Sequence, residues 1–192
     1  MSLPVLTRRF VLASLVAVAA GALVPAFAAE FKSDRITVTA EGTGSDVVLI
    51  HGLASSPRVW REMVAAVPGY RYHLVQISGF AGHARGGNTD GAVAAPVAEE
   101  IARYISARGL VKPAVIGHSM GGTIGMMLAG RHPDSLSRLM VVDMVPFLGA
   151  LFGPPGTSAD SIKPMADTML TQMRGADATA RNMRATATIN SM

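Results

Sequence analysis

Ser119 lies within the run AVIGHSMGGTIGMML, residues 114–127, with β-branched residues before it and a long apolar stretch after it. Glycines stand two before and two after it, at Gly117 and Gly121. That spacing suits a strand-to-helix turn so tight that side chains at the two glycines would strike neighbouring backbone, while the serine hydroxyl is lifted clear of the sheet. The chemistry such a hydroxyl performs is nucleophilic attack on a carbonyl carbon, with the resulting oxyanion met by backbone N–H groups. The Met120 amide, at the start of the following helix, is one candidate donor, helped by the helix dipole. The same residues also satisfy a plainer reading, a small residue where a helix packs closely on a sheet. A GxSxG pattern is weak alone; its place between a buried strand and an apolar helix is the context the chemistry requires.

A second segment, IHGLASSPRVW, supplies the other half of such a site. His51 and Gly52 end an apolar run, so the Leu53 amide reaches the same sheet edge as Ser119 if the two strands are neighbours. It would then be the second oxyanion donor, each donor contributing about 3 kcal/mol.

A serine hydroxyl also needs a base, and histidines occur at 51, 73, 83, 118 and 132. His118 precedes the serine and is expected to point away from its hydroxyl, packing beneath the turn. His51 is expected to hold the oxyanion loop by hydrogen bonds. His132, in RHPD, closes a helix, where a charge partner for the helix end is the plain role. His73 and His83 fall on a strand and a loop without a ligand cluster, so no metal site is expected. Asp143, ending LMVVD, is the acid best placed at the active edge. It is a candidate triad acid, with a loop-capping carboxylate as the competing reading.

The elements that must position these residues follow from hydrophobic periodicity. ITVTAEG alternates as a strand, and DVVLIHG is a continuous apolar run of the kind buried on both faces. SSPRVWREMVAAVPG predicts a helix with apolar spacing at Val59, Met63, Val64 and Val67. RYHLVQIS is a strand, GFAGHARGGNTDGA a glycine-rich loop, and AAPVAEEIARYISAR a helix burying Val97, Ile101, Tyr104 and Ile105. PAVIG, then MGGTIGMMLAGRHPD, then SLSRLMVVDMVP read as strand, helix, strand. Such alternation indicates a mainly parallel sheet with flanking helices, an α/β fold. From Phe147 the chain turns Gly/Pro-rich and then methionine-rich, helical in part. Met165, Met169 and Met173 recur every four residues, read as a face of the cap helix, more often core than a ligand stripe, with an adaptable acyl pocket as the alternative that a methionine-rich cap allows. The sequence has neither a GxGxxG after its first strand nor a GK[ST] loop, which argues against a nucleotide-binding domain.

DVVLIHGLASSPRVW, the loop after RYHLVQIS, VIGHSMGG and LMVVDMVP resemble the first two-thirds of an α/β-hydrolase-fold enzyme, over roughly residues 36–146. Residues 147–192 resemble the start of the helical cap such enzymes carry. The resemblance implies an esterase, lipase, peptidase or related acyl-transfer enzyme without a cofactor. Ser119 at the elbow argues against the family's dehalogenase and epoxide-hydrolase branches, which place aspartate there. One departure is local: the family's DxxGxGxS loop is here ISGFAGHARGG, without an aspartate at its head. A larger one is that the family places its acid and histidine later in the chain, and no histidine follows His132. The sequence therefore reads as an incomplete hydrolase fold, truncated toward its C-terminus and short of its base. LMVVDMV is then expected to be a sheet edge prone to association. A non-catalytic remnant that binds an apolar small molecule or a partner is the competing reading.

Residues 7–30, TRRFVLASLVAVAAGALVPAFAAE, have the layout of an export signal cleaved after about Ala28, with a twin-arginine-like start. A membrane anchor is the alternative, because Phe10–Ala29 is just long enough to span a bilayer. The readings divide the chain into a signal (1–28) engaging the export machinery, an N-terminal hydrolase core (29–146) and a partial cap (147–192). Cleavage would remove two of the 17 basic residues and none of the 13 acids, so the balance is weakly positive and no nucleic-acid footprint is present. The absence of cysteine excludes disulfides and thiolate metal sites. Phe147, Leu148, Leu151 and Phe152 hint at an apolar acyl substrate.

Overall fold

The computed structural model describes residues 31–175 apart from positions 90 and 152, together with 177, 179, 180, 183 and 186. The expected export signal lies outside the described residues. Five strands form one sheet: β1 (Ile36–Gly42), β2 (Ser45–Ile50), β3 (Tyr70–Ile77), β4 (Ala114–His118) and β5 (Arg138–Val142). Their order across the sheet is β1-β3-β2-β4-β5. β1 pairs antiparallel with β3, and every other pairing is parallel. The helices are α1 (Arg61–Ala66), α2 (Ala94–Ala107), α3 (Met120–Arg131) and α4 (Ala159–Gly175).

The two faces of the sheet bury different sets of side chains. On one, Val48, Ile50, Val75 and Val115 meet Val97, Ile101 and Ile105 of α2 and Ile124 and Leu128 of α3. On the other, Val47, Leu49, Tyr72 and Leu74 pack with Trp60, Met63 and Val64. This is why DVVLI reads as an unbroken apolar run: successive β2 side chains point to opposite faces, and both are covered. The α2 stripe is the one its spacing predicts, with Val97, Ile101, Tyr104 and Ile105 all buried.

Two readings of the sequence need correction. The expected helix over the PRVWREMVAAV stretch is a 3-10 turn at Pro57–Trp60 followed by only six α-helical residues. Its anchor is Trp60, 7% exposed, while Val59 and Val67 face solvent. The segment needs one large side chain against the sheet, so a continuous stripe is not required. Met165 and Met169 of α4 are likewise exposed among the described residues, where packing in a core was expected.

The glycine-rich loop after β3 is tied down at its far end. Asn88 donates from Nδ2 to the carbonyls of Arg35 and Ser78 and accepts from the Arg35 guanidinium. Gly87 donates its N–H to the Asp34 carbonyl, and Gly86 presses so closely on that carbonyl that a side chain there would collide with it. The loop is thereby fixed across the C-terminal end of β3. No helix among the described residues is long and apolar enough to cross a membrane.

Candidate active site

β4 ends at His118 and α3 begins at Met120, leaving Ser119 alone in the turn. Its backbone has φ 52° and ψ −121°, a conformation rare for a residue with a side chain. The surroundings over-determine it. The Ser119 N–H donates to the Val142 carbonyl at 2.9 Å, and the Ser119 carbonyl accepts from Gly122 at 2.8 Å. A Cβ on Gly117 would collide with the Gly121 carbonyl, and one on Gly121 with the carbonyls of Ile50 and His51. The glycine spacing in GHSMGG is thus the imprint of β2, β4 and α3 meeting without room for side chains.

The β2–β4 pairing brings the IHGL turn to this point, with Ile50 opposite Gly117. Gly52 is the residue of close approach: a Cβ there would lie 3.1 Å from the Ser119 Cβ and 3.0 Å from His118 Nδ1. Leu53, the next residue, is 67% exposed, so its side chain is directed to solvent. Gly52 is a site residue that the sequence reading passed over as a strand end. A glycine directly before a loop amide was the available signal.

His51 is completely buried and fixes this turn. Its Nδ1 lies 2.8 Å from the Gly52 carbonyl and its Nε2 accepts the Ile77 N–H at 3.1 Å. A carbonyl only accepts, so Nδ1 carries the proton and the ring is the neutral tautomer. Burial pushes the His51 pKa below the ordinary histidine value; the bond to Gly52 opposes the shift and nearby His83 adds to it. Because the Gly52–Leu53 peptide is planar, holding its carbonyl also sets the direction of the Leu53 N–H.

Asp143 follows β5 directly after Val142, whose carbonyl holds the Ser119 N–H, so its backbone sits beside the elbow. It is exposed and has φ 53°, a left-handed conformation that aspartate tolerates better than most residues. Among the described residues no histidine pairs with it. His118 Nδ1 is buried with no hydrogen-bond partner. His132 bonds Glu99 on α2, with Nε2 2.7 Å from the carboxylate, so its partner is a neighbouring helix and not the end of its own. His73, on β3, is buried and lies 2.8 Å from both the Tyr104 hydroxyl and Asp46. No cluster of three or more metal-ligating side chains occurs among the described residues.

A mostly parallel sheet between helices, with a strained serine between strand and helix and a glycine turn pressed against it, defines the class: an α/β-hydrolase fold. A family model described as alpha/beta hydrolase fold matches residues 47–186, most of the 192-residue chain, and the chain belongs to that family. Among curated relatives, it is 32% identical over 140 residues to the pimeloyl-(acyl-carrier protein) methyl ester esterase of Aliivibrio fischeri, covering 72% of this chain and 50% of the relative. It is 35% identical over 111 residues to the enzyme of that name from Aliivibrio salmonicida, covering 57% of this chain and 40% of the relative. A marine microorganism esterase superposes with a TM-score of 0.54 at 23% identity, covering 76% of this chain and 52% of that one, a likeness of fold. The chain spans about half the length of the curated relatives it matches.

Proposed function

We propose that this chain carries the nucleophile half of an exported serine hydrolase that cleaves carboxylic esters of apolar acyl groups. Ser119 Oγ attacks the ester carbonyl carbon and gives up its proton to a base. The carbonyl oxygen takes the negative charge and is met by the N–H groups of Leu53 and Met120. The C–O bond to the alcohol then breaks, the alcohol leaves with a proton, and water later releases the acid from the serine. The observation that carries the reading is the Ser119 backbone, held at φ 52° with Gly52 against its side chain. Strain of this kind persists only where its surroundings enforce it. The curated relatives named as methyl ester esterases support the ester as substrate class.

In this reading the base, and the acid if Asp143 does not serve, come from sequence equivalent to the half of the relatives that this chain does not span. One observation favours the second reading, a non-catalytic fold that binds an apolar molecule: both ring nitrogens of His51 and His73, and Nε2 of His132, have partners away from Ser119. A fluorophosphonate probe, applied to the protein carrying the sequence equivalent to the relatives' second half, separates the two. Labelling of Ser119 in that folded protein, abolished in Ser119→Ala, is the expected result; the folded protein with that second half present and no label taken up supports the binding reading.

A further inference from the structure

The segment ISGFAGHARGG, where this sequence departs from the family's loop pattern, is built at its near end against the turn before Leu53. Ile77, the last residue of β3, donates its N–H to His51 Nε2 at 3.1 Å, and its carbonyl accepts the Phe80 N–H at 3.4 Å. The second bond closes a four-residue turn with Gly79 in third place at φ 93°, where a type II turn needs a positive φ. Gln76, 7% exposed, staples this turn from within: its Nε2 donates to the Ile77 carbonyl at 2.8 Å and lies 3.5 Å from the Phe80 carbonyl. The Phe80 carbonyl also accepts the His83 N–H at 3.0 Å.

These bonds fix where the Phe80 side chain goes. Its ring packs against the buried core and meets the His51 ring edge to face, with centroids 6.0 Å apart and planes at 74°. The two hydrogen bonds of His51, to the Gly52 carbonyl and from the Ile77 N–H, engage its ring nitrogens and so run in the ring plane. Bonds in one plane do not set the tilt of the ring or cover its faces. A second ring set steeply to that plane supplies this constraint and keeps water from competing for the two nitrogens. Without it, the proton is no longer confined to Nδ1, and the Gly52 carbonyl loses a fixed donor.

We propose that Phe80 is a positioning residue for the oxyanion hole: seated on His51 by the Ile77–Phe80 turn, it holds the imidazole in one tautomer between Gly52 and Ile77, and thereby keeps the Leu53 N–H aimed at the carbonyl oxygen beside Ser119. The oxyanion role rests on the hydrolase reading, whereas the hold on the His51 ring does not. Acting through His51, Phe80 bears on the charge that develops in the transition state and not on the acyl body of the ester. Its loss therefore lowers kcat and leaves KM in place. Removing an oxyanion donor outright costs about 10²–10³ in kcat, so a donor that is only misdirected loses about tenfold.

The test has two arms. In the full chain, nitrogen NMR of the histidine rings above the ordinary histidine pKa is expected to show His51 with one protonated and one bare nitrogen, and the Ile77 amide protected from exchange. Phe80→Ala is expected to mix the tautomers and speed Ile77 exchange by about tenfold or more. Phe80→Leu, which keeps apolar volume and so secures folding, moves both in the same direction; Phe80→Tyr, which keeps the ring, restores the parent pattern. In the protein carrying the sequence equivalent to the relatives' second half, hydrolysis of para-nitrophenyl butyrate is counted per serine labelled by a fluorophosphonate. There Phe80→Ala is expected to lose about tenfold in kcat with KM within about twofold, and Phe80→Tyr to recover it. One unchanged tautomer and unchanged Ile77 exchange in both Phe80→Ala and Phe80→Leu would overturn the hold on His51. Mixed tautomers with undiminished kcat, or a rise in KM alone, would overturn the oxyanion role. A folded parent with its second half that cleaves no ester would overturn the hydrolase reading instead, and the NMR arm would still decide the hold on His51.

Discussion

Ser119 occupies a backbone conformation that serine does not favour, and the cost of holding a non-glycine residue there is about 1–3 kcal/mol. Glycine pays no such cost. Ser119→Gly is therefore expected to raise unfolding free energy by about 1 kcal/mol in urea titrations while abolishing fluorophosphonate labelling. Ser119→Ala, which keeps a Cβ in the strained position, loses the label without the stability gain. Equal stabilities for the two variants would remove the argument from strain. The glycines around Ser119 were legible in the sequence because their spacing reports a collision local to one turn. Gly52 was not, because what forbids its side chain is His118 and Ser119, which only the β2–β4 register brings to it.

The strands were legible because their periodicities are set by simple facts of exposure: β2 and β4 are interior, with the unbroken apolar runs Val47–Ile50 and Ala114–Ile116, while β1 alternates at an edge. α1 was misjudged because six residues behind Trp60 bury no stripe from which a period could be read. β5 lies at the other edge, and Met140, 58% exposed, and Val142 project from it uncovered among the described residues. An open edge with apolar outward side chains is a template for association. Met140→Lys is expected to lower light scattering at high protein concentration while changing unfolding free energy by less than about 0.5 kcal/mol. Scattering equal to the parent chain would show that this edge does not drive association. The loop after β3 makes the opposite case, a segment without secondary structure that is nonetheless held. Asn88→Ala removes three hydrogen bonds at once and is expected to cost about 1–3 kcal/mol, with faster amide exchange confined to the loop and the residues 33–35 it grips.

At the scale of the molecule, polar groups far apart in the sequence form bonds across elements, and no local pattern announces them. Asp46, His73 and Tyr104 lie on β2, β3 and α2, and only the parallel register with Val48 opposite His73 brings them into one chain. These buried and paired groups set how stability varies with pH. His51 has a folded pKa below the ordinary 6.5 because it is buried, so the unfolded chain takes up that proton first as pH falls. Its contribution is complete above about 6.5 and is lost as pH falls from there toward the folded pKa. Asp46 is depressed below 3.8 by its bond to Arg71, and its contribution is present above 3.8 and lost as pH falls through its folded pKa. Burial raises Tyr72 and Tyr104 above 10.0, so the unfolded chain ionises first there and stability falls again as pH rises past 10.0. Unfolding free energy measured in urea across pH is therefore expected to show a plateau between about 6.5 and 10, a first decline on the acid side and a second in the carboxylate range. In His51→Gln, whose amide can still donate and accept but does not titrate, the first decline is expected to vanish while the second remains. An unchanged first decline in that variant would assign the step to another group and remove His51 as the titrating brace of the turn before Leu53.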